Sequence, residues 1–219
     1  MSPYQCTLCP RRCRIPEGGR GFCRARGVRD GQVVPLFHGV ISSLALDPIE
    51  KKPLHRFHPG ASILSVGSYG CNLDCRFCQN CEISRDFSLE EARKSRHMTI
   101  PELVRLAESL AGRGNIGLAY TYNEPLVGIE FVRDASAAIR AAGMQNVLVT
   151  AAYLEPDRFR EAIRCIDAAN IDVKAFRDAF YQEACRTPRP DAGSPDRAPD
   201  ALQTVMTNVE IAVREGVHV

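Results

Sequence analysis

The chain has no tryptophan and no marked charge of either sign: 28 basic against 26 acidic residues leave a formal net charge of +2 over 219 residues. So small an excess offers no basic field to a nucleic-acid backbone or an anionic membrane surface. No apolar run approaches the ~18 residues that a membrane span needs. The opening MSPYQCTLCPRRC has no apolar stretch of the kind a signal peptide carries. A cytoplasmic protein without a membrane partner is therefore expected. Composition is otherwise ordinary, 45% hydrophobic and 25% charged, enough for one substantial core. Cysteine is the exception. There are ten, eight of them in the first 81 residues. In a reducing compartment, clustered thiols bind metal or do redox chemistry more often than they form disulfides.

Residues 1–35 are rich in Cys, Gly and Arg without periodic pattern, and read as a small metal-stapled module. Residues 36–61 read as a Pro-punctuated connector, and 62–219 as the main domain. There, short apolar runs alternate with amphipathic stretches. Strands are expected at 62–68, 116–121, 146–151 and 170–176. A helix is expected after Thr99, whose spacing to Glu102 is that of a capping box; its apolar face is Leu103, Leu106, Ala107 and Leu110. Further helices are expected from Val127 to Ile139, over 156–166, and after Asp200, which with Gln203 has cap spacing. The closing GVHV resembles the start of a fifth strand. Such alternation is the signature of βαβ units and a parallel sheet, and right-handed crossovers leave a doubly wound sheet or a barrel-like array. The segment 186–200, with four prolines, reads as a surface loop.

Two cysteine groups carry the chemistry. In GSYGCNLDCRFCQNC, Cys71, Cys75 and Cys78 follow C-x3-C-x2-C directly after the first expected strand, and Cys81 lies just beyond. Three soft thiolates on one loop can hold three irons of a cubane, leaving a fourth iron open to an amine and a carboxylate. Phe77 is placed to shield such a cluster. Cys81 keeps a rival reading alive, since four thiolates can saturate a cubane or close a zinc site. Cys6, Cys9, Cys13 and Cys23 form the second group, suited to structural zinc or to an auxiliary [4Fe–4S] cluster. Cys165 and Cys185 stand alone and read as buried small hydrophobes.

The first motif, with its aromatic before the last cysteine and its place after a strand, resembles that of the radical SAM superfamily. In that family the open iron binds S-adenosylmethionine (SAM), and one-electron cleavage gives a 5′-deoxyadenosyl radical that abstracts hydrogen. The resemblance implies a partial, truncated (β/α)6-type TIM-like barrel. It places Glu124 of TYNEP against the methionyl amino group, with Thr121 and Asn123 in support, and puts Asp172 and Lys174 of NIDVKAF on the cofactor and substrate site. Where Thr-Asn-Gly is usual, this chain has Thr150, Ala151 and Ala152. More narrowly, CTLCPRRCRIPEGGRGFCRAR, SSLALDPIEKKPL, VGSYGCNLDCRFCQN, AYTYNEP, NVLVT and NIDVKAF resemble the radical SAM protein of the AmmeMemoRadiSam system, a relative of the pyruvate formate-lyase activating enzyme. That group's chains are longer, so a fragment missing its last strands is expected here. An activating enzyme of this type takes electrons from a flavodoxin or ferredoxin and acts on a protein, peptide or small-molecule substrate. The competing class is a non-catalytic four-cysteine iron–sulfur electron carrier or a metal-stabilised interaction module.

Overall fold

The computed structural model describes residues 3–189 and 200–219. Its centre is a five-stranded mixed sheet. The strands are β1 (Ser43–Pro48), β2 (Ser62–Gly67), β3 (Asn115–Tyr120), β4 (Gln145–Thr150) and β5 (Ala168–Ile171). They lie side by side in chain order, with β1 antiparallel to β2 and the other pairs parallel. A doubly wound sheet reverses its strand order at a switch point; this sheet has no reversal. His218 bridges Ala168 in parallel, so the closing GVHV does begin to extend the sheet beyond β5.

Helices fill the crossovers: α1 (Ile100–Ser109), α2 (Ile129–Ala141), α3 (Pro156–Ala162), α4 (Asp178–Ala184) and α5 (Ala201–Arg214). The expected capping box starts α1, with Thr99 Oγ1 accepting from Glu102 N and Glu102 Oε2 accepting from Thr99 N. The two-residue strand period sorts side chains onto opposite faces. Leu64, Val66, Leu118, Tyr120 and Leu148 pack with Leu103, Val132, Ile139 and Phe159 of the helices. On the other face, Ile63, Ala119, Val147 and Ala168 pack with Ile49 and Leu54. The stretch read as a connector therefore adds an edge strand and covers one face of the sheet.

Several boundaries differ from expectation. β5 ends at Ile171, so Asp172 and Lys174 lie beyond the strand and not along one of its faces. Helix α4 was not expected. The N–H groups of Ala201 and Leu202 at the start of α5 are met by Asp178 Oδ1, not by the anticipated Asp200. The apolar face of α5 also contains a buried amide, Asn208, which donates to the carbonyls of Ala152 and Leu154. Of the expected loop at 186–200, residues 190–199 lie outside the described residues. In the N-terminal segment, Tyr4–Gln5 pairs with Arg14–Ile15 and Arg26–Arg29 with Gln32–Pro35, both antiparallel.

Gly117 shows how close the parallel pairing is: a Cβ built there would lie 1.8 Å from the Gln145 carbonyl oxygen, whereas one on Gly128 meets nothing within 4 Å. Gly117→Ala should cost about 3 kcal/mol and Gly128→Ala no more than about 0.5 kcal/mol, read from urea unfolding midpoints. Equal effects would contradict the β3–β4 register.

Candidate functional site

The loops that carry the candidate residues of the main domain leave the same end of the sheet, the carboxyl end of the parallel strands, where α/β arrays collect ligands. β2 leads into the cysteine loop, β3 into Thr121–Pro125, β4 into Ala151–Leu154 and β5 into Asp172–Ala175.

Asn123 binds two of these loops together. Its Oδ1 accepts from Ser68 N at 3.0 Å and its Nδ2 donates to the Gly70 carbonyl at 3.0 Å. Thr121 is buried, its main-chain N–H donating to Val66 O at 2.9 Å. Glu124 is 3% exposed. Its carboxylate accepts from Thr150 Oγ1 at 2.7 Å, Ala151 N at 2.9 Å and Leu126 N at 3.1 Å. The last bond caps the 3-10 turn Pro125–Gly128, while the first two tie β3 to β4. Burial pushes the Glu124 carboxyl up, against the lowering effect of these three donors. Each carboxylate oxygen has two lone-pair sites, so three donors leave room for another.

Of the three motif cysteines, Cys71 lies beside this carboxylate and close to Cys75 and Cys78. Burial pushes the Cys71 thiol far up, and the negative charge of Glu124 pushes it further. Cys75 is also raised, first by its hydrogen bond with Cys185 and then by burial. Cys185 is fully buried, as expected, but it is not alone: Asp74 N donates to its carbonyl at 3.0 Å, bringing the end of α4 against the cysteine loop. A lone thiol more than a hundred residues downstream carries no signal of that contact. Cys165 is half-exposed, not buried. Cys81 heads the short helix Cys81–Ser84, and its thiol lies near the Asp86 carboxylate. Phe77 is 51% exposed, its ring 5.9 Å from that of Phe180.

Lys174 is the cation for this group. Its Nζ lies 2.8 Å from Asp172 Oδ2, so the two make the simple ion pair that opposite charges suggest. Burial alone would lower the ammonium, but Asp172 outweighs it, with Cys75 and Glu124 adding to the upward shift. A protonated lysine thus lies in the field of both the thiol and the carboxylate.

Two residues with positive φ sit at the strand ends, Tyr122 at 73° and Ala152 at 51°. Such a conformation in a residue with a side chain costs about 1 kcal/mol or more and needs support. Tyr122 has it, because its hydroxyl donates to Asp47 Oδ2 at 2.6 Å and Asn80 Nδ2 donates to its carbonyl at 2.7 Å. Ala152 stands where the related motif has glycine.

The four N-terminal cysteines come together. Cys6, Cys9, Cys13 and Cys23 line one enclosed cavity with Arg11, Arg26 and Asn72. Burial pushes Cys9 up to about 12 and Cys23 up to about 11.

The chain belongs to the radical SAM superfamily, which its residues 65–219 match. Members of this superfamily are enzymes that work with a [4Fe–4S] cluster and SAM. The chain is 42% identical over 183 residues to the uncharacterized protein MJ0808 of Methanocaldococcus jannaschii, a match that covers 83% of this chain and 52% of that protein. The chain thus spans about half the length of this relative.

The residues present fit such a cluster. Three thiols, the softest protein donors, pack in one group, with an ammonium near Cys75 to offset charge. Among the described residues, no three His, Cys, Asp or Glu close round a single ion. Among the described residues, no helix is long and apolar enough to cross a membrane.

Asp47 gives the site a pH dependence. Burial would raise its carboxyl, but hydrogen bonds from Lys51, Lys52 and Tyr122 hold it well below the usual carboxylate range. A depressed folded-state value contributes stability above the unfolded value, lost as pH falls. The gap in urea midpoint between the wild type and Asp47→Asn should therefore close as pH drops from about 5 to about 2. A constant gap would contradict the buried ion-pair account.

Proposed function

We propose that this chain uses Cys71, Cys75 and Cys78 as the three protein ligands of a [4Fe–4S] cluster whose fourth corner takes SAM. The observation that carries the reading is the buried Glu124 carboxylate beside Cys71, on the same sheet end and in the field of the Lys174 ammonium. When bound, the cluster supplies the electron that cleaves the SAM sulfonium to a 5′-deoxyadenosyl radical. Glu124 takes the methionyl ammonium on its free lone pairs. Thr121 and Asn123 hold the loop that presents it, and Asn123 also fixes the main chain at Ser68 and Gly70. Lys174 offsets the charge of the thiolates, with Asp172 keeping it protonated. Phe77 and Phe180 restrict water at the outer edge. Cys81 stays outside the ligand set, engaged with Asp86, so a saturated four-thiolate carrier is not favoured.

The wider assignment is an activating enzyme of the AmmeMemoRadiSam type, acting on a protein or peptide and reduced by a flavodoxin or ferredoxin in the cytoplasm. The chemistry at the sheet end is common to many substrates, and the support for this branch is the run of motifs that spans the chain. The sequential sheet is then part of a (β/α)6-type barrel, residues 62–219 forming the core, 36–61 its edge and cover, and 1–35 a module in which Cys6, Cys9, Cys13 and Cys23 hold zinc or a second cluster.

Anaerobically reconstituted protein, reduced with dithionite in the presence of SAM, should release 5′-deoxyadenosine. Cys71→Ser should abolish release. Glu124→Gln should cost about 1–3 kcal/mol of stability and weaken SAM binding while the cluster remains, as read by iron content and calorimetry. A fully loaded wild type that forms no 5′-deoxyadenosine would overturn the assignment.

A further inference from the structure

The four N-terminal cysteines share a wall with the cysteine loop. Gly70, immediately before Cys71, has φ 93° and presses against the first module: a Cβ there would lie 2.4 Å from the Cys23 carbonyl oxygen and 2.8 Å from Ala25 Cβ. Only glycine permits both that conformation and that approach. Arg11 spans the same boundary. Its side chain lines the cavity of the four thiols, and its Nε donates to the Asn72 carbonyl, one residue past Cys71.

The cavity these thiols line has orphaned polar groups. Arg26 is 7% exposed, and its Nη atoms pair with Glu130 at 2.9 and 2.8 Å, yet its Nε–H has no partner. Asn72, 1% exposed, donates through Nδ2 to the Tyr153 carbonyl and leaves Oδ1 unpaired. A buried, unpaired N–H costs about 1–3 kcal/mol unless something accepts from it. Sulfide and thiolate sulfurs are such acceptors, and hydrogen bonds to sulfur tune cluster potentials. Phe22 N already donates to Cys13 Sγ at 3.4 Å. The four thiols line one space with the Arg26 and Asn72 side chains. Arg11 and Arg26 supply the positive charge that a thiolate-bound cluster needs when it gains an electron.

We infer that the cavity lined by Cys6, Cys9, Cys13 and Cys23 holds a redox-active [4Fe–4S] cluster that passes electrons to the Cys71–Cys78 site across the Gly70–Cys23 contact. This rests on the proposed SAM-cleaving site and assigns its electron supply. A low-potential one-electron carrier protein gives one electron to the N-terminal cluster, which is reduced by one unit. The same electron then moves to the second cluster, returning the first to its oxidised state. No atom is transferred.

The test compares three full-length proteins reconstituted anaerobically with iron and sulfide: the wild type, Cys9→Ser/Cys13→Ser, and Cys71→Ser/Cys75→Ser/Cys78→Ser. Circular dichroism checks that each folds, and Cys13→Ser alone replaces the double variant should that one fail. The wild type should hold about eight irons and each multiple variant about four. The triple variant should keep a reducible cluster whose EPR spectrum ignores SAM. The N-terminal variant should keep its SAM response with dithionite but lose rapid reduction by a reduced flavodoxin. One zinc and about four irons in the wild type, or undiminished flavodoxin reduction in the N-terminal variant, would overturn the inference while leaving the SAM site intact. Loss of the SAM response from the wild type, with about eight irons bound, would instead overturn the SAM-cleaving assignment on which the relay depends.

Discussion

Everything at the carboxyl end of the sheet depends on burying like charges together. The Glu124 carboxylate lies beside the Cys71 thiol, and burial together with Glu124, Cys75 and Cys78 raises the cost of ionising that thiol. Left alone, such a group would stay protonated and inert. The chain offsets it with the Lys174 ammonium and three donors on Glu124. The remaining charge is what a cationic iron–sulfur core supplies. Burial thus holds the pocket in reserve for a metal group: the same desolvation that suppresses free thiolate strengthens the binding of that group once it is present.

Holding the pocket together is a task spread across the fold. The edge strand carries Asp47, which takes the Tyr122 hydroxyl and so supports the left-handed turn after β3. Asn123, one residue later, pins the start of the cysteine loop, and Glu124 closes β3 onto β4. Helix α4 brings Cys185 against Cys75 and Tyr181 against Lys174, the tyrosine hydroxyl accepting from Lys174 N at 2.9 Å. From the other side, the N-terminal segment presses Cys23 on Gly70 and extends Arg11 to Asn72. The cysteine loop is therefore held by the segments on both of its sides as well as by the strand it follows.

Much of this was legible in the chain. Strands β2, β3 and β4 are largely apolar and declare themselves within a residue or two, and the Thr99–Glu102 box marks the start of α1 by its spacing alone. The cysteine spacing pointed to the right chemistry because soft-ligand motifs are local. What escaped was non-local or masked by composition. β1 hides among prolines and lysines, since an edge strand need not be apolar throughout. Ser88 and Glu91 form a second capping box, starting the short helix Leu89–Lys94, which the same spacing rule would have found. β5 was drawn too long because NIDVKAF alternates like a strand, yet the chain turns off at Asp172 to bring Lys174 to the thiols. The exchange of Asp200 for Asp178 as the cap of α5 depends on a contact 23 residues apart. Cys185 and the unpaired Arg26 Nε are visible only in three dimensions.

The central claim is that one corner of the cluster held by the cysteine loop is left for SAM, with Cys81 outside the ligand set. EPR of the dithionite-reduced wild type and Cys81→Ala proteins, with and without SAM, tests it most directly. Both should retain the cluster, and both should show g-values that shift when SAM is added. A cluster lost with Cys81, or a spectrum unmoved by SAM in the loaded wild type, would contradict the account.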